Sequence, residues 1–79
     1  MYKVYILESL KDHSKYIGVT QDLINRLREH NSGETKTTKV KAPYKLVWYG
    51  GFLNKYKAYA FEKYLKSSSG FAFRNKRLI

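Results

Sequence analysis

The stretch Tyr2-Lys3-Val4-Tyr5-Ile6-Leu7, followed after a short gap by Lys15-Tyr16-Ile17-Gly18-Val19, decides the fold. Both runs are rich in β-branched and aromatic residues, and the first alternates Tyr2, Val4 and Ile6 against Lys3, Tyr5 and Leu7, which predicts two strands. The turn residues Lys11-Asp12-His13-Ser14 between them are too few for a crossover, so the pair is expected to be an antiparallel hairpin, with His13 exposed in the turn. Gly18 inside the second strand suits a bulge or a close backbone approach.

Downstream, Thr20 is expected to cap a helix that runs to about residue 31. Asp22 stands in its first turn, Leu23 and Leu27 lie one turn apart, and Ser32-Gly33 ends it. Residues 34–43 read as an exposed loop. A third strand is predicted over 44–49, with Leu46 and Trp48 on one side and Val47 on the other, closed by Gly50-Gly51. Asn54 suits the cap of a second helix over 55–66, with Ala58, Phe61 and Leu65 on one stripe. Residues 67–70 are expected to break it before a basic helical tail over 71–78. The order ββαβαα describes an α+β fold, a small three-stranded antiparallel sheet flanked by helices, with residues 1–79 as one domain.

Sixteen Lys and Arg against six Asp and Glu leave a net charge of +10 on 79 residues. That excess points to a polyanion, with nucleic acid as the expected partner. Eight Tyr, four Phe and one Trp interleave with the cations; aromatic faces stack on bases, although Trp48 and Phe52 are expected in the core. Cysteine is absent, which excludes a disulfide framework and a thiolate zinc site. No apolar stretch approaches the roughly 20 residues of a membrane span, and the start lacks the apolar segment of a signal peptide, so a cytoplasmic location is expected.

On a helical wheel of about 100° per residue, Arg26 and His30 border the Leu23–Leu27 stripe, where they can project into a cleft beside the sheet. The competing reading is a solvated edge with Arg26 paired to Asp22 or Glu29. Glu62 is the sole acid from Thr35 to Ile79, among eleven Lys and Arg. It borders the Ala58–Leu65 stripe; its competing role is a helix ion pair with Lys66. A carboxylate, a guanidinium and tyrosines in a positive field suit phosphodiester hydrolysis. One Glu oxygen can hold a Mg²⁺ or Mn²⁺, the guanidinium can take charge from the phosphoryl oxygens, and a tyrosine can activate water, with His30 sharing the proton. So few acids support a single ion.

At these positions the chain resembles the GIY-YIG nuclease family. Val4-Tyr5-Ile6 stands where the family has its first tyrosine element, and Tyr16-Ile17-Gly18 reproduces the second letter for letter. The run from Tyr16 to Leu23, continuing through Arg26-Leu27 and Glu29-His30-Asn31-Ser32-Gly33, is similar to the family's strand and active-site helix, and Glu62 to its metal-binding glutamate. The resemblance covers essentially the whole chain and is closest to small standalone bacterial members. It implies that Tyr5 and Tyr16 line the site, that Arg26 contacts the scissile phosphate, that His30 assists and that Glu62 binds one divalent metal, with either tyrosine as the base. Several members carry an asparagine about twelve residues after the glutamate; here that position is Arg74, with Asn75 beside it.

The expected activity is therefore a metal-dependent endonuclease acting on DNA, with branched, damaged or distorted forms and a role in DNA repair as candidates, and with RNA compatible as well. Gly18, Arg28, Lys36, Lys39, Lys41, Arg74 and Asn75 are the expected nucleic-acid contacts. Two other readings compete: a non-catalytic nucleic-acid-binding module, and an accessory domain that works through a partner protein supplying specificity.

Overall fold

Strand β1 (Tyr2–Ser9) and strand β2 (Lys15–Thr20) form the expected antiparallel hairpin, in a register that sets Tyr5 opposite Gly18 and Leu7 opposite Tyr16. The computed structural model describes residues 1–34 and 39–79. The turn is built by side chains: Asp12 Oδ1 accepts from the Ser14 amide and hydroxyl, and buried Ser9 accepts the Lys11 amide at its Oγ and donates that hydroxyl to the Lys41 carbonyl at 2.6 Å. His13 sits in the left-handed region at φ 63°, exposed, with Nδ1 3.0 Å from Glu8.

Strand β3 (Tyr44–Phe52) pairs antiparallel with the other edge of β1, giving the order β2-β1-β3. As the central strand, β1 is covered on both faces, which is why Val4, Tyr5, Ile6 and Leu7 are all buried in one uninterrupted run. Val4 and Ile6 pack with Ile17, Ala58 and Leu65 on one face, while Tyr5 and Leu7 pack with Leu23 and Tyr44 on the other. Each such aliphatic side chain contributes about 1.5–3 kcal/mol on burial.

Helix α1 (Leu23–Ser32) covers the Tyr5 face and helix α2 (Lys55–Leu65) the Val4 face. The cap of α1 is Asp22 rather than Thr20. Thr20 is still paired to Lys3 in the sheet, and its hydroxyl accepts the Asp22 amide at 3.1 Å to turn the chain; Asp22 Oδ1 then accepts the Asn25 amide. Asn54 caps α2 as expected, accepting from Tyr56 and Lys57. At the other end of α1, Asn31 clamps the start of β3, accepting the Tyr44 amide at 2.6 Å and donating to the Tyr44 carbonyl at 3.1 Å.

Three further expectations are corrected. Gly50-Gly51 does not close the third strand at residue 49, because β3 runs through both glycines to Phe52. A register shift between Ile6 and Leu7 sets Ile6 opposite Trp48 but Leu7 opposite Leu46, leaving Val47 as an inserted residue. Trp48 and Leu46 consequently join opposite cores, not one; Trp48 and Phe52 stack around Phe61 on the α2 face. Residues 67–70 do not simply break the chain: Ser67 caps helix α3 (Ser68–Phe73), and Gly70 lies against the backbone of Tyr64 and Leu65, where a Cβ would collide with the Tyr64 carbonyl. A π-helical turn (Arg74–Leu78) completes the tail. Among the described residues, no helix is long and apolar enough to cross a membrane.

Candidate active site

Alternation along β1 turns Tyr5 toward α1, and its ring lies close against its partner Gly18. A Cβ at that position would stand 2.5 Å from the Tyr5 hydroxyl and 2.7 Å from Cζ, so only glycine leaves room for the phenol. The ring ends at His30, in the last turn of α1, with Tyr5 Oη 3.0 Å from His30 Nε2. Tyr16 on β2 packs its ring 4.8 Å from the imidazole and 6.4 Å from Tyr5, and Tyr44 meets the imidazole edge-on at 6.1 Å.

Burial and packing set the charge states. His30 is 1% exposed and Tyr5 2%. Desolvation, reinforced by the Arg26 cation and partly offset by Glu29, pushes the His30 pKa below its ordinary value, which keeps the imidazole neutral at pH 7. Burial, and then the neighbouring Tyr16, pushes the Tyr5 phenol well above the usual tyrosine range despite the opposing pull of Arg26. A neutral phenol against a neutral imidazole can bond in either direction according to the tautomer.

Arg26 and Glu62 stand on two different helices, each engaged in an ion pair on its own helix. Arg26 Nη1 lies 3.4 Å from Glu29 Oε1, the partner expected on the competing reading, and its charge still acts on both Tyr5 and His30. Glu62 Oε2 lies 3.1 Å from Lys66 Nζ, again the expected ion pair, and its side chain is 20% exposed. Although α2 covers the opposite face of the sheet, Glu62 is among the charges that raise the Tyr5 pKa. Helix α2 packs against edge strand β2 as well as against β1.

The GIY-YIG catalytic domain model matches residues 1–77. This chain belongs to the GIY-YIG family. Among its curated relatives, a UPF0213 protein of Streptococcus pneumoniae is 44% identical over 64 residues, 80% of this chain and 64% of that protein. UPF0213 protein CPE1444 of Clostridium perfringens is 40% identical over 79 residues, 99% of this chain and 80% of the relative. This GIY-YIG chain thus spans just under two thirds of the streptococcal protein and more of the clostridial one. Among solved structures, the solution NMR structure of the UPF0213 protein BH0048 from Bacillus halodurans aligns with a TM-score of 0.60 at 34% identity, covering 99% of this chain and 87% of that one. Membership in the family supports a nuclease-type function on nucleic acid.

Within the GIY-YIG fold the anticipated site residues take unequal places. Tyr5, Tyr16 and His30 meet in one cluster. The buried positions of Tyr5 and His30 make them supports rather than surfaces for a substrate, while half-buried Tyr16 lines an open groove. Gly18, anticipated as a nucleic-acid contact, is buried beneath Tyr5 and acts by making space. Arg28 is exposed, bonded to Asn25 Oδ1 at 2.8 Å and 3.4 Å from Glu34. Lys39 and Lys41 are exposed, Lys41 lying 3.4 Å from Asp12; Lys36 lies outside the described residues. Arg74 is buried and lines the groove, whereas Asn75 is exposed, so Arg74 itself occupies the site-facing position. Sequence reasoning missed Lys15 as part of that groove. It also missed Lys66 there, whose i+4 spacing from Glu62 was read only as an ion pair, and Tyr44, which closes the imidazole cluster.

The same GIY-YIG site bears on the implied metal. Among the described residues no group of three or more His, Asp or Glu side chains converges to hold an ion. Glu62 offers one partly exposed carboxylate. A hard cation that keeps most of its waters and takes its other ligands from phosphate oxygens fits such a donor; a cation that needs a full protein cage does not.

Proposed function

We infer that this GIY-YIG domain is an endonuclease that hydrolyses phosphodiester bonds in DNA with one Mg²⁺ or Mn²⁺. The observation that carries the reading is the placement of half-buried Tyr16 over the sealed Tyr5–His30 pair, where it lines a groove shared with Lys15, Lys66 and Arg74. Tyr16 is the member of the cluster with access to a substrate, so its hydroxyl is the one placed to take part in activating a water beside the scissile phosphate. Tyr5, held protonated by burial, is the poorer base; with neutral His30 it fixes the Tyr16 ring.

Arg26 is poised to take the charge that builds on the phosphoryl oxygens, provided its guanidinium leaves Glu29 for the phosphate. Glu62 would hold the divalent ion, which when bound polarises a phosphate oxygen and stabilises the leaving oxygen. The net charge of +10 supplies the attraction for the polyanion.

A plasmid-nicking assay with Mg²⁺ or Mn²⁺ tests this reading. Arg26→Ala is expected to cost about 10²–10³ in rate, and Glu62→Ala to abolish metal-dependent nicking. Nicking that survives Glu62→Ala rejects the assignment. A second reading, a binding module without catalysis, is favoured by the two ion pairs that engage Arg26 and Glu62 in the free protein. Plasmid binding without nicking, unaltered by either substitution, would establish it.

A further inference from the structure

Along the outer edge of β2, a groove of about 350 Å³ opens between Lys15, Tyr16, Ile17, Lys66 and Arg74. Arg74 is its unusual member. The residue is 9% exposed, its guanidinium carbon lies 4.7 Å over the Phe71 ring, and its Nε is buried with no hydrogen-bond partner among the described residues. The other two cations are already matched, Lys15 to Glu8 at 3.4 Å and Lys66 to Glu62 at 3.1 Å. Among the described residues no carboxylate lies within ion-pairing distance of Arg74.

A buried guanidinium with an unused donor is costly unless an anion completes it. Its planar fork matches the oxygens of a phosphate, and the two lysines at the rim add positive field without filling the groove. Tyr16 and Ile17, adjacent on β2, line its side against the sheet. The groove also adjoins the cleavage site through two shared residues: Tyr16 packs on His30 at 4.8 Å, and Lys66 touches Glu62.

We propose that the Arg74 groove is a subsite for the backbone phosphate neighbouring the one that is cleaved, with Arg74 as principal ligand and Lys15 and Lys66 at its rim. The identity of the molecule that carries the phosphate rests on the nuclease reading; the binding of phosphate does not. The subsite positions the strand so that the adjoining phosphodiester falls beside Tyr16, and it does so through the residue that stands where the family resemblance expects asparagine.

Two measurements test it, both without divalent metal. In the ¹⁵N-labelled wild-type protein, the Arg74 Nε–Hε resonance is followed during titration with inorganic phosphate and, at matched ionic strength, with sodium chloride. A saturable shift with phosphate alone is expected; no shift, or the same linear drift with both salts, overturns the subsite. In EDTA, Arg74→Gln is expected to weaken binding of a duplex oligonucleotide about tenfold and to reduce the log–log salt slope by about 1. Lys15→Gln, at the rim and outside the buried cluster, is expected to do so to a smaller extent. Unchanged affinity and slope in both folded variants overturns the proposal. Nicking is scored separately: a saturable Arg74 shift in a protein that never nicks supports the subsite and sinks the nuclease reading, whereas nicking without any shift sinks the subsite alone.

Discussion

Tyr5 Oη and His30 Nε2 lie 3.0 Å apart where water does not reach, so one hydrogen bond ties the central strand β1 to the last turn of α1. The bond holds a helix against the sheet and also fixes the ring on which Tyr16 rests. Its loss is therefore expected to register in both stability and chemistry.

Tyr5→Phe keeps the ring and removes the hydroxyl, depriving His30 Nε2 of the phenol. A cost of about 1–2 kcal/mol is expected in urea unfolding, together with a fall in nicking of about tenfold or more. Tyr16→Phe should separate the two effects: it stands half-buried at the groove, so stability is expected to change by less than about 0.5 kcal/mol while nicking falls by about 10²–10⁴. Equal effects of the two substitutions on nicking would contradict the division of roles.

Gly18→Ala places a methyl group 2.5 Å from the Tyr5 hydroxyl, the end of a side chain that has no room to swing away. Overpacking of this kind costs about 1–3 kcal/mol. The pair should be non-additive in a double-mutant cycle with Tyr5→Phe, because the shorter ring removes the nearest clash while Cζ, at 2.7 Å, remains. Thermal melts of the four proteins check this.

Asn31→Ala breaks the two-point clamp on Tyr44 and leaves the amide of a buried residue without its acceptor. A loss of about 1–3 kcal/mol is expected. The Tyr44 amide should also exchange with deuterium faster, and to a greater degree than amides in the centre of β1. Unchanged exchange at Tyr44 would show that the clamp contributes nothing to docking β3 against α1.

The depressed pKa of His30 gives stability a pH dependence whose sign is fixed. Between its folded value and the ordinary value of about 6.5 the unfolded chain binds more protons than the native one. Stability is therefore full above about pH 6.5 and falls as pH drops through the folded value. Among the described residues, the groups around the imidazole include Tyr5, Tyr16, Tyr44, Arg26 and Glu29. Unfolding midpoints between pH 7.5 and pH 5 are expected to fall for the wild type and to fall less for His30→Gln; parallel curves for the two proteins would remove His30 as the cause.

Much of the architecture was legible because it is local. The alternation of residues 2–7 and the turn residues that follow specify a hairpin, Asn54 specifies the start of α2, and the ordered tyrosines, Arg26, His30 and Glu62 mark the GIY-YIG pattern. These signals are carried by neighbours in the chain, where side-chain direction and capping chemistry act over a few residues. Where local signals failed, a longer-range pairing had intervened: Thr20 was claimed by its strand partner Lys3 before it could cap α1, and the register shift beside Leu7 sent Leu46 and Trp48 to opposite faces.

By itself, then, the sequence determined the strands and helices, their order, the family and the residue types that carry the chemistry. Only the tertiary structure decided which of those residues meet solvent. A helical wheel sets His30 at the margin of a stripe, yet burial depends on Tyr5, Tyr16 and Tyr44 arriving from three strands to enclose it. Likewise Arg74 and Asn75 are equivalent polar neighbours in the chain, and the packing of α3 against the end of α2 turns one into the groove and the other to water. Desolvation and electrostatic coupling act through space between groups far apart in sequence, so the charge states of Tyr5 and His30 belong to the folded molecule rather than to the chain.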